Sequence, residues 1–171
     1  AATIEGARIA RLLGEAPTIS APGRSFPVEV EHRDGPLDRR GLPAAVEGAT
    51  RDLLPEGDVL VFLPGAAEIR ATVDHLRSVS LPDDPRILPL HGALPAAEQD
   101  RALEPDADGR RRVIVATDVA ETSLTIEGIR GVVDAGWSRE PRFDAATAMA
   151  GLVTVPASQA SAEQRAGRAG R

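Results

Sequence analysis

Short, nearly continuous apolar runs alternate with amphipathic stretches through the centre of this chain, and the alternation is regular. Val59-Leu60-Val61-Phe62-Leu63 has no polar interruption and predicts a strand buried on both faces. Pro64-Gly65 breaks it, and the stretch from Ala66 to Val79 places Ile69, Val73 and Leu76 along one side of a helix. Ile87-Leu88-Pro89-Leu90 predicts a second short strand, His91-Gly92 a turn, and Pro95 to Leu103 a helix with proline in its first turn. Val113-Ile114-Val115-Ala116 predicts a third strand and Val132-Val133 a fourth. Apolar strands separated by helices predict an α/β fold: a mostly parallel sheet with helices on both faces. The pattern then changes. Two extended pieces, Arg139 to Phe143 and Leu152 to Val155, predict a C-terminal antiparallel hairpin on the otherwise parallel sheet.

The first 35 residues are less regular. Ile4 to Leu13 predicts a helix, Phe26-Pro27-Val28-Glu29-Val30 alternates like an edge strand, and Asp34-Gly35-Pro36 predicts a turn. A helix from Pro43 to Leu54 leads into the first strand. Residues 1–35 are therefore expected to form a lead-in segment and 36–171 the domain itself. The length of 171 residues suits one domain with a real core. No apolar run reaches the ~20 residues of a membrane helix, no secretory signal pattern opens the chain, and the absence of Cys removes disulfides and thiol chemistry. A cytoplasmic location with no membrane partner is expected.

Charge alters the picture in one place. All 20 basic residues are Arg, and the net charge of −6 argues against a protein that holds nucleic acid by bulk attraction. The arginines cluster, however, at Arg110-Arg111-Arg112 and at the C-terminus, and the 2% aromatic content disfavours base stacking. A nucleic acid held here would be held by its backbone.

Ligands of open α/β sheets bind beyond the carboxyl ends of the strands. The third strand is followed by Thr117-Asp118-Val119-Ala120-Glu121-Thr122-Ser123-Leu124-Thr125, whose hydroxyls suit either a phosphodiester backbone or an ordinary turn and helix cap. Gly65, His91 and Gly92 follow the first two strands; His91 alone suits packing better than catalysis. Asp134 and Gly136 follow the fourth, where Asp134 orients a loop or caps a turn. The last eight residues, Gln164-Arg165-Ala166-Gly167-Arg168-Ala169-Gly170-Arg171, hold three arginines and two glycines. Read as a helix, Gln164, Arg168 and Arg171 share a stripe, with Arg165 about 100° round. Arginine forks grip phosphate, and the two glycines imply a close approach of something to the backbone. Ser161-Ala162-Glu163-Gln164 fits a capping box, which leaves Gln164 structural, ligand-binding or both.

The Thr117 to Thr125 segment, as motif V, and the Gln164 to Arg171 segment together resemble two signature motifs of the DEAH-box helicases of superfamily 2. Leu60 to Ile69 is similar to motif IV of that family, and Leu90-His91-Gly92-Ala93-Leu94-Pro95 to its next nucleic-acid-contacting segment. Pro141-Arg142-Phe143-Asp144 and Ser158-Gln159-Ala160-Ser161-Ala162 bring the resemblance nearest the bacterial HrpB-type group. Asp118 stands where the family more usually has Asn. The resemblance implies a second RecA-like domain, of the P-loop NTPase type, working opposite a first RecA-like domain that carries the P-loop and the acidic motif. Neither motif is present here, and there is no Lys at all.

By that resemblance residues 1–35 derive from the interdomain linker, and Arg168 and Arg171 are arginine fingers toward the γ-phosphate of ATP. Gln164 and Thr125 are nucleotide-side contacts, while Gly65, His91, Gly92, Thr117 and Thr122 lie along a single nucleic-acid strand, taken as RNA. Mg ligands are expected on the first domain and no metal site on this chain, and the fragment alone is expected to hydrolyse no ATP. A DNA translocase of the same superfamily is the near alternative, because backbone contacts separate RNA from DNA only where the 2′-hydroxyl is read. A non-catalytic α/β interaction domain, with the arginine stripe as a docking surface, is the alternative of a different class.

Overall fold

The structure, a computed structural model, describes residues 10–14, 16–17, 26–33, 38, 40–122, 126–144 and 149–170. Four parallel strands form its centre: β1 (Asp58–Phe62), β2 (Arg86–Leu90), β3 (Arg112–Ala116) and β4 (Ile129–Asp134), in the spatial order β2-β3-β1-β4. Helices α1 (Leu42–Leu53), α2 (Ala66–Ser78), α3 (Ala96–Leu103) and the short α4 (Val119–Thr122) connect or flank them. From Leu42 to Asp134 the predicted strands and helices fall where the apolar pattern put them, within a few residues at each end.

Alternation along the strands divides the core in two. Val59, Val61, Leu63, Val113 and Val115 pack on one face against Val46 of α1 and Ile69, Val73 and Leu76 of α2. Leu60, Phe62, Ile114 and Ala116 pack on the other face against Ala102 of α3 and Ala120 of α4. Buried on both sides, Val59 to Phe62 of β1 and Val113 to Ala116 of β3 have no place for unpaired polar residues, which explains their unbroken apolar runs.

At the amino end of the sheet, Arg112 is 2% exposed, yet it is no unpaired charge. Its Nε donates to Asp58 at 2.7 Å, and its terminal nitrogens donate to the carbonyls of Leu103, Glu104 and Glu127. One guanidinium thereby ties β1 and β3 to the end of α3 and the approach to β4. The Arg110 to Arg112 cluster is thus divided, with its last member turned inward.

β2 is an edge strand, and its outer edge is blunted. Arg86 and Leu90 bond toward the β3 side, so Ile87 and Pro89 face outward by alternation. Proline has no N–H to offer, and the Ile87 carbonyl already accepts from Arg77 of α2 at 2.8 Å.

β5 (Trp137–Asp144) and β6 (Met149–Pro156) pair antiparallel, with Trp137 opposite Pro156 and Phe143 opposite Ala150. The hairpin is longer than predicted and forms its own two-stranded sheet instead of extending the parallel one. The last helix, α5, spans Gln159–Ala166.

Three expectations change. Residues 26–30 join no sheet; Phe26 is held instead by one bond from its N–H to the Gly170 carbonyl at 3.1 Å. The N-cap of α5 is Ser158, whose side chain accepts from the Ser161 N–H at 3.2 Å, so the helix starts three residues before the predicted box. It also ends at Ala166, and the chain continues through turns, so Arg168 is not on a helical stripe with Gln164. Most of the predicted helix from Ile4 to Leu13 and the whole Asp34-Gly35-Pro36 turn lie outside the described residues; Ala10–Leu12 are helical.

Candidate functional site

β1 lies between β3 and β4, so the chain leaves β1 toward one side of the sheet and leaves β3 toward the other. A crevice at the carboxyl ends of β1 and β3 follows from that reversal. Backbone bonds lace the loops around it. The Leu63 N–H donates to the Ala116 carbonyl at 2.8 Å, Thr117 to Leu90 at 3.2 Å, and Ala135 to Phe62 at 3.1 Å. Gly65, His91, Thr117 and Asp134 are therefore brought to one rim from four separate strands.

Each candidate can be placed on that rim. Gly65 is buried and extended at the start of α2, and a Cβ there would lie 2.6 Å from Cζ of Arg139. The missing side chain leaves room for the β5 arginine to lie across this backbone, with its terminal nitrogen 3.6 Å from Glu68. His91 is half-buried, and its Nδ1 is buried with no partner among the described residues; Gly92 is exposed with open space about it. Thr117 is half-buried and Asp118 exposed, and α4 begins directly after them. Thr122 closes α4, while Thr125 and Arg171 lie outside the described residues.

Helix α5 crosses this rim and is fixed to it by a residue the sequence did not single out. Arg165 is buried, and its guanidinium sits 5.1 Å from the centre of the Phe62 ring at the end of β1. Its Nε donates to Glu121 at 3.1 Å and a terminal nitrogen to Asp134 at 2.8 Å. The remaining donors reach the Ser138 hydroxyl at 2.7 Å and the Trp137 carbonyl at 3.2 Å. Ser161, one turn earlier, donates its hydroxyl to the same Glu121 oxygen at 2.5 Å. A planar fork with five donors suits such a junction, where a lysine could satisfy fewer acceptors. The clue lay in Glu121, in the short helix after β3, and Asp134, the last residue of β4; Asp134 also caps its own turn by accepting from the Gly136 N–H at 2.9 Å.

Arg168 is only 6% exposed, and its guanidinium donates to the Glu121 carbonyl through Nε at 2.9 Å and through a terminal nitrogen. Gln164 is half-buried on α5. Gly170 answers the expectation of a close approach: a Cβ there would lie 2.7 Å from the Phe26 carbonyl oxygen. The neighbour is the protein's own backbone. Beside the junction a cleft of about 310 Å³ is lined by three carboxylates, Asp118, Glu121 and Glu140, against one arginine, Arg139, together with Ser138, Ser158 and Ser161. Those carboxylates make it a poor seat for phosphate. Among the described residues no group of His, Cys, Asp or Glu could hold a metal ion, and no helix is long and apolar enough to cross a membrane.

The family described as helicase conserved C-terminal domain matches residues 45–171. The chain belongs to that family. This helicase C-terminal domain is 45% identical over 172 residues to the ATP-dependent RNA helicase HrpB of Escherichia coli (strain K12), covering 99% of the chain and 21% of the relative. It is 43% identical to the pre-mRNA-splicing factor ATP-dependent RNA helicase prp22 of Schizosaccharomyces pombe, again across 99% of the chain and 15% of the relative. The crystal structure of the Escherichia coli DEAH/RHA helicase HrpB superposes with a TM-score of 0.82 at 42% identity, covering 99% of this chain and 22% of that one. The helicase C-terminal domain thus spans about a fifth or less of the length of these relatives.

Proposed function

We propose that the chain is the second RecA-like motor domain of an ATP-dependent RNA helicase, with residues 1–35 as the lead-in from the interdomain linker. One observation carries the reading. Arg165 joins α5, which leads into Arg168 and Arg171, to Glu121 of α4, four residues after Thr117, and to Asp134 at the end of β4, so the two motifs share one buried junction. ATP hydrolysis sensed at one can then be felt at the other.

The donor set fits the terminal phosphates of a nucleotide held by another domain. Gln164, Arg168 and Arg171 offer N–H donors and carry no negative charge, which is the chemistry an anion requires. Mg would be held by the first RecA-like domain. Arg168 and Arg171 stabilise charge on the transferring phosphoryl group, a contribution of roughly 10³ to 10⁵ in rate for an arginine finger. For Arg168 this means exchanging the Glu121 carbonyl for phosphate oxygen when the two domains close. Gly65, His91, Gly92, Thr117 and Thr122 form part of the single-strand track, and Thr125 completes the nucleotide side.

The test is ATP hydrolysis by the intact parent protein, with and without single-stranded RNA, for the unaltered protein, Arg168→Ala, Arg171→Ala and the exposed-hairpin control Arg142→Ala. RNA-stimulated turnover lost in the first two variants alone, with strand binding retained, is the expected result. Turnover indifferent to both would make the arginines structural and bring forward an interaction domain. Matched RNA and DNA strands in the same assay separate the helicase from a DNA translocase.

A further inference from the structure

Arg110, prominent in the sequence, is not absorbed by the motor function, and it leads to the opposite end of the sheet. There a groove of about 410 Å³ opens between the end of α2, the start of β2 and the last turn of α3. Four arginines line it, Arg77, Arg86, Arg101 and Arg110, against the single carboxylate of Asp84. In a chain of net charge −6 this is a local reversal of sign.

Three of the arginines are held in place by the fold. Arg77 donates to the Ile87 carbonyl at 2.8 Å, and Arg86 to Asp106 at 2.6 Å. Arg110 donates to the Asp84 carbonyl at 2.6 Å and to its carboxylate at 2.7 Å. That last contact depends on a turn in which Asp83 and Asp84 both adopt positive φ, 61° and 43°, a conformation tolerated by aspartate better than by most residues. Arg101 is exposed on the surface of α3 and has no partner among the described residues. The floor between them is aliphatic: Leu76, Leu81, Ile87 and Leu88.

The geometry points to a docking site for an acidic segment of another polypeptide, with an aliphatic side chain seated between carboxylates. Charge complementarity selects the acidic partner: Arg86 and Arg110 are already paired with Asp106 and Asp84, but Arg77 and Arg101 hold no carboxylate among the described residues, and arginine forks take carboxylates bidentately. The aliphatic floor selects a peptide over a nucleic acid: among the described residues no aromatic ring lines the groove to stack a base, whereas the leucines and Ile87 suit an aliphatic side chain. Fixed arginines lose little freedom on binding, which favours affinity.

The experiment is fluorescence anisotropy of the 171-residue chain with a short fluorescein-labelled peptide of repeated Glu-Glu-Leu at low ionic strength. A Glu-Glu-Ser peptide of equal charge and an oligouridylate serve as comparison probes. Saturable binding of the leucine peptide, weakened about tenfold by Arg101→Glu and several-fold in the serine peptide, is expected. Arg101 is exposed and makes no structural bond, so its substitution leaves the fold intact. The proposal is overturned if the leucine peptide fails to bind, if Arg101→Glu leaves its affinity unchanged, if the two peptides bind alike, or if oligouridylate binds this groove at least as tightly. None of these measurements involves ATP, so the result stands apart from the motor function.

Discussion

Arg165→Ala is the perturbation that best tests Arg165 as a structural arginine, distinct from the role proposed for Arg168 and Arg171 in the same short motif. The substitution removes one guanidinium and leaves two carboxylates, Glu121 and Asp134, facing each other with side chains only 15% and 22% exposed. Breaking a buried ion pair by removing one partner costs about 3 to 5 kcal/mol, and the residual solvent access of these carboxylates points to the lower end. Loss of the cation–π contact with Phe62 adds about 0.5 to 1 kcal/mol. The unpaired Ser138 hydroxyl and Trp137 carbonyl add more, though such contributions within one network do not sum simply. A total of about 4 kcal/mol is expected, a large fraction of a typical domain's stability of about 5 to 15 kcal/mol. At about 2 to 4 °C per kcal/mol for a domain of this size, Tm falls by roughly 8 to 16 °C. Urea and thermal unfolding of the 171-residue chain measure it, with the exposed Arg142→Ala as reference and Glu121→Gln as the background for a double-mutant cycle. In that background Arg165→Ala costs clearly less, because one of the stranded charges is gone. A loss within about 1 kcal/mol of the Arg142→Ala control would refute the junction as the element that holds α5 to the strand ends.

Three further outcomes follow from the same structure. Arg112→Met strands the Asp58 carboxylate, 15% exposed, and several carbonyls, so a loss of about 3 to 5 kcal/mol in chemical denaturation is expected, with Arg112→Lys intermediate. Gly170→Ala forces a methyl against the Phe26 carbonyl at 2.7 Å and costs about 1 to 3 kcal/mol by thermal unfolding; an unchanged Tm would mean that residues 26–33 simply move aside. Hydrogen bonds from Arg51 and then from His75 hold Glu47 below its ordinary value of 4.5, so its contribution is fully present above that pH and disappears as the pH falls through the lower folded value. Asp106, lowered from 3.8 chiefly by Arg86, behaves alike; Glu47→Gln and Arg86→Ala should each flatten the acid limb of a stability–pH profile, and an unaltered limb would contradict the assignment.

Local chemistry was legible where one segment decides its own state. Val59 to Leu63 and Val113 to Ala116 read as buried parallel strands because burial on both faces leaves no polar position. Ile69, Val73 and Leu76 read as the inward stripe of α2 because helical spacing needs no knowledge of a partner. The start of α5 was less legible, since two serines three residues apart both qualify as caps; Ser161 is instead drawn off to Glu121 by a contact distant in sequence. The Phe26 to Val30 alternation resembled a strand, but a strand exists only where a neighbour offers its edge, and here the chain meets Gly170 at a single bond.

What the sequence determined by itself was the α/β class, the order of the elements, the residues that follow each strand, and the family motifs, all of which rest on spacing along the chain. Only the tertiary structure decided where Arg165 and Arg168 turn and what holds them. Arg165 is buried because Glu121, Asp134 and Ser138 converge on it from three different elements, and Arg168 turns to a carbonyl of α4 because α5 ends at Ala166. A guanidinium goes where acceptors gather, and that gathering is a property of packed elements that no spacing within one segment records.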